Sequence, residues 1–245
     1  MTRKKPDAAG EAGQDAAAEP VSRSFRIAQH EIAARPLEPG LYLVSTPIGN
    51  LGDMTIRGLE TLAGADIIAC EDTRVSRVLL DRFGIATRPH AYHEHNAERV
   101  GPKLMEALEA GRSVALISDA GTPLVSDPGY RISQTAIEAG IAVIPIPGAS
   151  APMAALVASG LPSDAFLFAG FLPTKDKARR DRYGRFATTE ATLMFFESPN
   201  RLAASLKSAA DVLGADRPAA VCRELTKAYE EIRRGTLGEL ADQYK

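Results

Sequence analysis

Apolar positions in this chain alternate between short continuous runs and longer stretches at helical spacing. Leu41-Tyr42-Leu43-Val44 is a short run ending at Thr46-Pro47, which has the length and flanks of a buried strand. Ile56, Leu59 and Leu62 follow at helical spacing. Ile67 and Ile68 mark a second strand over 66–70, and Val75, Val78, Leu79 and Phe83 a second helix. Val100, Leu104, Ala107 and Leu108 give a third helix closed by Gly111. Val114 to Ile117 is the next strand. Asp127 followed by Pro128 has the pattern of an N-cap and first helical residue, opening a helix toward Ala139. A strand over 142–146 and a helix over 152–159 complete the series. The alternation predicts an α/β unit: a mostly parallel sheet with helices on both faces. Its ligand site then lies at the carboxyl ends of the strands.

A second unit, with a mixed sheet, is expected over 161–245. Phe166 to Phe168, Leu193 to Phe196, Ala219 to Cys222 and Glu231 to Arg233 read as strands, the last with an antiparallel option. Ser198-Pro199 repeats the cap-then-proline device before a helix marked by Leu202, Leu206, Ala209 and Leu213. The first unit spans 40–160. Residues 1–39 are expected to be a disordered tail, because between Met1 and Val21 no apolar side chain except proline exceeds alanine in size. Phe25 to Ala34 has the option of a short helix. No internal repeat is visible.

Composition narrows the classes. A hydrophobic content of 45% in 245 residues supports a substantial core and excludes wholesale disorder. The net charge is −2, so nucleic-acid binding requires a local basic patch. Cys70 and Cys222 are too few for a disulfide scaffold or a four-cysteine zinc site, and read as reduced core residues of a cytoplasmic protein. The longest uncharged stretch, 139–162, contains Pro145, Pro147, Pro152 and Pro162. It reads as strand, turn and helix rather than a membrane span. No apolar segment follows Arg3, Lys4 and Lys5, so no secretory signal is expected.

The segments after the strands carry the candidate chemistry. The loop 46–53 is not a dinucleotide fingerprint, and the chain has no Walker A pattern. Both absences count against phosphate-bearing cofactors, but not against a nucleoside without phosphate. The loop 118–129 combines glycines, prolines, Asp and Ser into a rigid shape, and Pro147-Gly148-Ala149-Ser150-Ala151 follows the last strand of the unit. Three small-residue loops at neighbouring strand ends suit a flat neutral ring and a ribose.

The run 41–53, the Glu71-Asp72-Thr73-Arg74 turn and the loop 118–130 together resemble the tetrapyrrole-methylase fold, most closely its ribosomal RNA branch, the small subunit methyltransferase I family. The likeness covers residues 40–244. It implies transfer of a methyl group from S-adenosylmethionine to the ribose 2′-hydroxyl of a cytidine in the 16S decoding centre. It also implies a homodimer and a 16S rRNA partner within the small ribosomal subunit. Gly121-Thr122-Pro123 stands where the tetrapyrrole branch has Gly-Asp-Pro, and the Thr46 to Asn50 loop replaces that branch's glycine-rich first loop, favouring RNA over a corrin or porphyrin. Cofactor contacts are then expected at Thr46, Pro47 and Asn50; at Asp119, Gly121, Thr122, Pro123, Val125 and Ser126; and at Pro147, Gly148, Ala149, Ser150 and Ala151. Family members continue beyond the helix near the end of this chain with a further strand, so the second sheet here is expected to lack one and expose an edge.

A ribose hydroxyl is a very weak acid and needs a base or an anion-stabilising site. Glu71, Asp72 and His93 lead the candidates, with Glu94, His95, Glu197 and Glu224 beside them; an internal network around Glu71 to Arg74 is the competing reading. His90, His93 and His95 cluster without a cysteine or metal-ligand spacing, so no metal is expected. Tyr92 to Asn96 also matches the family pattern, which puts His95 and Asn96, with Arg74, on the RNA side. Lys175, Lys177, Arg179, Arg180 and Arg182, with Lys175, Arg179 and Arg182 on one helical face, form a basic patch suited to phosphate. Two other readings stay open: a methylase of a tetrapyrrole or other small molecule, and a non-catalytic RNA-binding module.

Overall fold

The computed structural model describes residues 23–125 and 129–245. In chain order the elements are β1 (Ser24–Ile27), β2 (His30–Ala33), β3 (Gly40–Val44), α1 (Ile56–Gly64), β4 (Ile67–Cys70), α2 (Thr73–Arg82), β5 (Pro89–Ala91), α3 (Ala97–Glu109), β6 (Ser113–Ile117), α4 (Tyr130–Glu138), β7 (Val143–Ile146) and α5 (Ala151–Ser159). Then follow β8 (Phe166–Phe171), α6 (Asp176–Gly184), β9 (Thr192–Phe196), α7 (Leu202–Leu213), β10 (Pro218–Arg223), β11 (Glu231–Thr236) and α8 (Leu237–Gln243).

The first sheet is parallel throughout, in the order β5-β4-β6-β3-β7. Successive side chains of a strand face opposite sides, and the core divides accordingly. Tyr42, Val44, Ile68, Cys70, Ala115 and Ile117 pack with Leu59 and Leu62 of α1 and Leu79 and Leu80 of α2. Leu41, Ala69, Val114 and Leu116 pack with Leu104 and Leu108 of α3 and Ile132 and Ala136 of α4. Near-continuous apolar strands are what a sheet covered on both faces requires. Pro145 is tolerated because β7 is an edge strand, paired only with β3.

The predicted helix over Phe25 to Ala34 does not form, and the tail does not extend to residue 39. These residues make an antiparallel hairpin, β1 with β2. Phe25 is buried against α1 and α2, and Arg23 donates to the Gly64 carbonyl and to Asp66. The short segment satisfies its backbone by pairing with itself and gains a core contact that a lone helix of that length would lack. Asp66 is a fastener. Burial alone would raise its carboxyl, but hydrogen bonds from the Ser113 backbone and hydroxyl and from Arg23 outweigh that and hold it below the ordinary range. The strand β5 was also missed; it is short and carries Pro89 and His90. The predicted Asp127-Pro128 cap lies outside the described residues.

The second unit has two strand pairs, β8 parallel to β9 and β10 antiparallel to β11, so the sheet content is mixed. Tyr183, Leu206, Ala209, Leu237 and Leu240 form its core with Leu172 and Val221. Thr236 caps α8 through a reciprocal bond with Glu239. Among the described residues no helix is long and apolar enough to cross a membrane, and 139–162 resolves into β7 and α5.

Candidate functional site: three loops at the carboxyl edge of the sheet

The loops after β3, β6 and β7 meet. Thr46 and Gly121 exchange backbone hydrogen bonds of 2.9 and 3.0 Å, and the Thr46 hydroxyl donates to the Ser118 carbonyl at 3.1 Å. The Ser45 hydroxyl donates to Thr122 Oγ1 at 3.1 Å, and Thr122 donates onward to the Ala149 carbonyl at 3.2 Å. Gly148 lies so close to β3 that a Cβ there would fall 2.9 Å from the Ser45 Cβ. Gly121 has φ +89°, a left-handed conformation that favours glycine. The side chains of Ser45, Thr46 and Thr122 thus lock the loops to one another.

Two cavities open here. The smaller, about 420 Å³, is lined by Thr46, Pro47, Gly49, Ser118, Asp119 and the apolar side chains of Val75 and Leu79. The larger, about 1180 Å³, runs from Ala151, Pro152 and Ala155 of α5 to β9 and to the turn after β10. Ile48 and Lys227 line both. Of the cofactor residues expected from sequence, Thr46, Pro47 and Asp119 line the smaller cavity and Ala151 the larger. Gly121, Thr122, Pro147, Gly148 and Ala149 line neither cavity; Gly121 is buried, and Pro147 and Gly148 are exposed on the loop after β7. Pro123 is buried and Ser150 half-buried at the start of α5. Asn50 caps a short 3-10 turn by accepting from the Gly52 N–H, and Val125 is exposed. Ser126 lies outside the described residues.

The acid–base candidates separate sharply. Asp72 caps α2 and is clasped by the Arg74 guanidinium, which, with the Arg74 backbone N–H, holds its carboxyl down at about 2. It is therefore a weak base with its lone pairs committed. Asp119 accepts from the Asp72 backbone N–H at 3.0 Å, which ties the loops after β4 and β6 together. Glu71 is half-buried at the same turn. His93 is half-buried, its ring 5.9 Å from that of His95, and its Nδ1 is buried without a hydrogen-bond partner. Asn96 is used locally: its side chain accepts from the His93 N–H and donates to the Ala91 carbonyl. Neither cavity is lined by Glu71, Asp72 or His93. Glu197 and Glu224 do line the larger one. Glu197 is filled by Ser198, Ser205 and Arg201, whereas Glu224 pairs with Lys227. Lys227 is not among the candidates the sequence offers: it follows β10 as Glu224 does, but only the tertiary fold lays it on Gly49. Among the described residues no group of His, Cys, Asp or Glu is arranged to hold a metal.

The basic patch needs correction. Arg179 is 4% exposed. Its guanidinium donates to Ser208, Asp176 and the Thr174 carbonyl inside the second unit, so it is not offered to phosphate. Arg180 is held between Asp176 and Asp211. Arg182 donates to the Ala169 carbonyl and lies over the Phe186 ring. Lys175, Lys177 and Arg185 are exposed. The expected common face of Lys175, Arg179 and Arg182 fails because helix α6 starts after Lys175 and packs its Arg179 side against α7.

Residues 40–241 match the family model of the tetrapyrrole (corrin/porphyrin) methylases. The ribosomal RNA small subunit methyltransferase I of Mesorhizobium japonicum is 67% identical over 218 residues, covering 89% of this chain and 74% of that protein. Its namesake from Escherichia coli O157:H7 is 50% identical over 200 residues, covering 82% and 70%. The solved uroporphyrin-III C-methyltransferase of Thermus thermophilus, complexed with S-adenosylhomocysteine, aligns with a TM-score of 0.57 at 20% identity, covering 84% of this chain and 92% of that one. The fold is shared with the tetrapyrrole enzymes, and the sequence identity lies with the RNA branch: the chain belongs to the ribosomal RNA small subunit methyltransferase I family of the tetrapyrrole methylases.

Proposed function

We propose that this protein uses S-adenosylmethionine to methylate the ribose 2′-hydroxyl of a cytidine in the decoding centre of 16S rRNA, acting in the cytoplasm as a homodimer on the small ribosomal subunit. The observation that carries this reading is the joining of the loops after β3, β6 and β7 into one small-residue edge beside a large apolar cavity, in a chain of this family. Its residues fit the cofactor. The walls at Ile48, Ala151, Pro152 and Ala155 are apolar, as an adenine ring requires, and the smaller cavity beside them brings the polar Thr46, Ser118 and Asp119 within reach of a ribose or amino-acid portion. When bound, S-adenosylmethionine supplies a methyl group on a sulfonium, a strong donor. The protein orients the acceptor and excludes water. The unpartnered His93 Nδ1 and exposed His95 lie outside the two cavities and suit contact with the RNA around the target nucleotide, and Arg74, Lys175, Lys177 and Arg185 suit phosphate.

The test uses purified protein, S-adenosylmethionine labelled in the methyl group, and small subunits from a strain lacking the corresponding gene. Nuclease digestion and mass spectrometry are expected to find the label on one 2′-O-methylcytidine. Label on a base, label on an added porphyrinogen but not on RNA, or RNA binding with no transfer would each overturn the reading.

A further inference from the structure

The turn after β10 is built to hold one lysine in place. Glu224 and Thr226 have φ of 51° and 67°, left-handed conformations that non-glycine residues rarely adopt. The turn is closed by bonds from the Lys227 N–H to the Glu224 carbonyl, from the Thr226 N–H to the Glu230 carboxylate, and from the Glu230 N–H to the Lys227 carbonyl. Strained backbone persists where its surroundings over-determine it, and such places cluster at functional sites. What the turn delivers is the Lys227 side chain. Its stem lies flat on Gly49 of the first loop, where a Cβ would fall 2.5 Å from the lysine Cγ. It thereby crosses from the second unit to the first at the junction of the two cavities. The ammonium donates to Glu224 Oε1 at 3.1 Å, and both side chains remain 44% exposed. An ammonium and a carboxylate side by side in this cleft can divide the labour of ionising a weak acid.

We propose that Glu224 and Lys227 activate the attacking ribose hydroxyl, an inference that rests on the reaction proposed above. The hydroxyl gives its proton to the Glu224 carboxylate, while the Lys227 ammonium stabilises the negative charge growing on the oxygen. That oxygen forms the new C–O bond to the methyl carbon as the carbon–sulfur bond breaks, and the sulfonium becomes a neutral thioether. The proton then passes from Glu224 to water. Neither residue needs to bind the cofactor, and Glu197, the other carboxylate on this cavity that the sequence singled out, is committed to Ser198, Ser205 and Arg201.

The test compares Lys227→Met, which keeps the stem on Gly49, Lys227→Arg, and the isosteric Glu224→Gln in single-turnover methylation of gene-deletion small subunits across pH. Calorimetric S-adenosylmethionine affinity and subunit affinity at several salt concentrations are measured on the same proteins. Lys227→Met and Glu224→Gln are each expected to slow transfer by about 100-fold or more, with both affinities within about twofold. The residual rate of Glu224→Gln should climb about tenfold per pH unit where the unaltered protein levels off, and Lys227→Arg should restore part of the rate. Unaltered rates in the Met and Gln variants would overturn the proposal. So would a loss of S-adenosylmethionine affinity equal to the loss of rate, which would make Lys227 a cofactor contact, or a shallower salt slope with weaker subunit binding, which would make it a phosphate contact. Failure of the unaltered protein to methylate any ribose would overturn the functional reading itself, and this step with it.

Discussion

Replacing Arg179 by alanine separates an internal arginine from an RNA-facing one. The side chain is buried, with Nε 3.1 Å from Ser208 Oγ, Nη1 3.3 Å from the Thr174 carbonyl and Nη2 2.8 Å from Asp176 Oδ1. Losing one partner of a fully buried ion pair costs about 3–5 kcal/mol, because the other charge is stranded. That figure is too high here. The Asp176 side chain is 57% exposed and keeps Arg180 at 2.8 Å and the Ser208 hydroxyl at 2.8 Å. Beyond the bond to the half-exposed Asp176, what is lost is two hydrogen bonds from a charged donor to neutral oxygens and the packing of the buried stem, together about 2–3 kcal/mol. For a chain of this size the melting temperature should fall by roughly 5–10 °C. Urea unfolding followed by circular dichroism gives the free energy, and binding to small subunits across salt gives the phosphate count. The expected result is a large stability loss with an unchanged salt slope below the new transition. Unchanged stability with a slope shallower by about 0.7–0.9 would refute the internal assignment and return Arg179 to the RNA surface.

Changing Lys175, Lys177 and Arg185 together to alanine removes exposed cations; the slope of log K against log salt for subunit binding should become shallower by up to roughly 2–3, with the melting temperature within about 2 °C. Gly148→Ala forces a methyl to within 2.9 Å of the Ser45 Cβ, so the loop must shift; S-adenosylmethionine affinity by calorimetry should fall about tenfold or more, and unchanged affinity would remove this loop from the cofactor site. Asp66→Asn should cost about 1–3 kcal/mol at pH 7. The Asp66 carboxyl is depressed in the folded state, so its contribution is present above the unfolded value near 3.8 and fades as pH falls through the lower folded value; urea midpoints of the two proteins should therefore converge in acid, and a constant gap would contradict the linkage.

The three loops were legible because their signal is local. Glycine at 121 and 148 and proline at 47 and 123, set directly after apolar runs, state where the backbone turns and where something approaches it. The first sheet was legible for the same reason: strands buried on both faces are written as continuous apolar runs, and β3, β4, β6 and β7 all appear near where those runs fall. The family motifs rest on the same local residues.

The rest depended on distant partners. Phe25 and Ile27 fit a strand period as readily as a helix, and only the α1–α2 surface beneath Phe25 decides for the hairpin. Arg179 and Lys177 are the same kind of residue in the same run. One is internal and the other exposed because Ser208, on α7, stands opposite Arg179 across 29 positions of sequence. Asp72 looked like a base until Arg74 and the helix start consumed its oxygens. Lys227 had no signal of its own, since its place over Gly49 is made by the meeting of two units. The sequence by itself determined the order of β3, β4, β6 and β7 with the helices between them and the turn chemistry at their carboxyl edge, because propensity and hydrophobic period act between neighbours. The tertiary structure alone decided which charges are spent on the fold and which face the cleft, because burial and ion pairing are set by residues far apart in the chain.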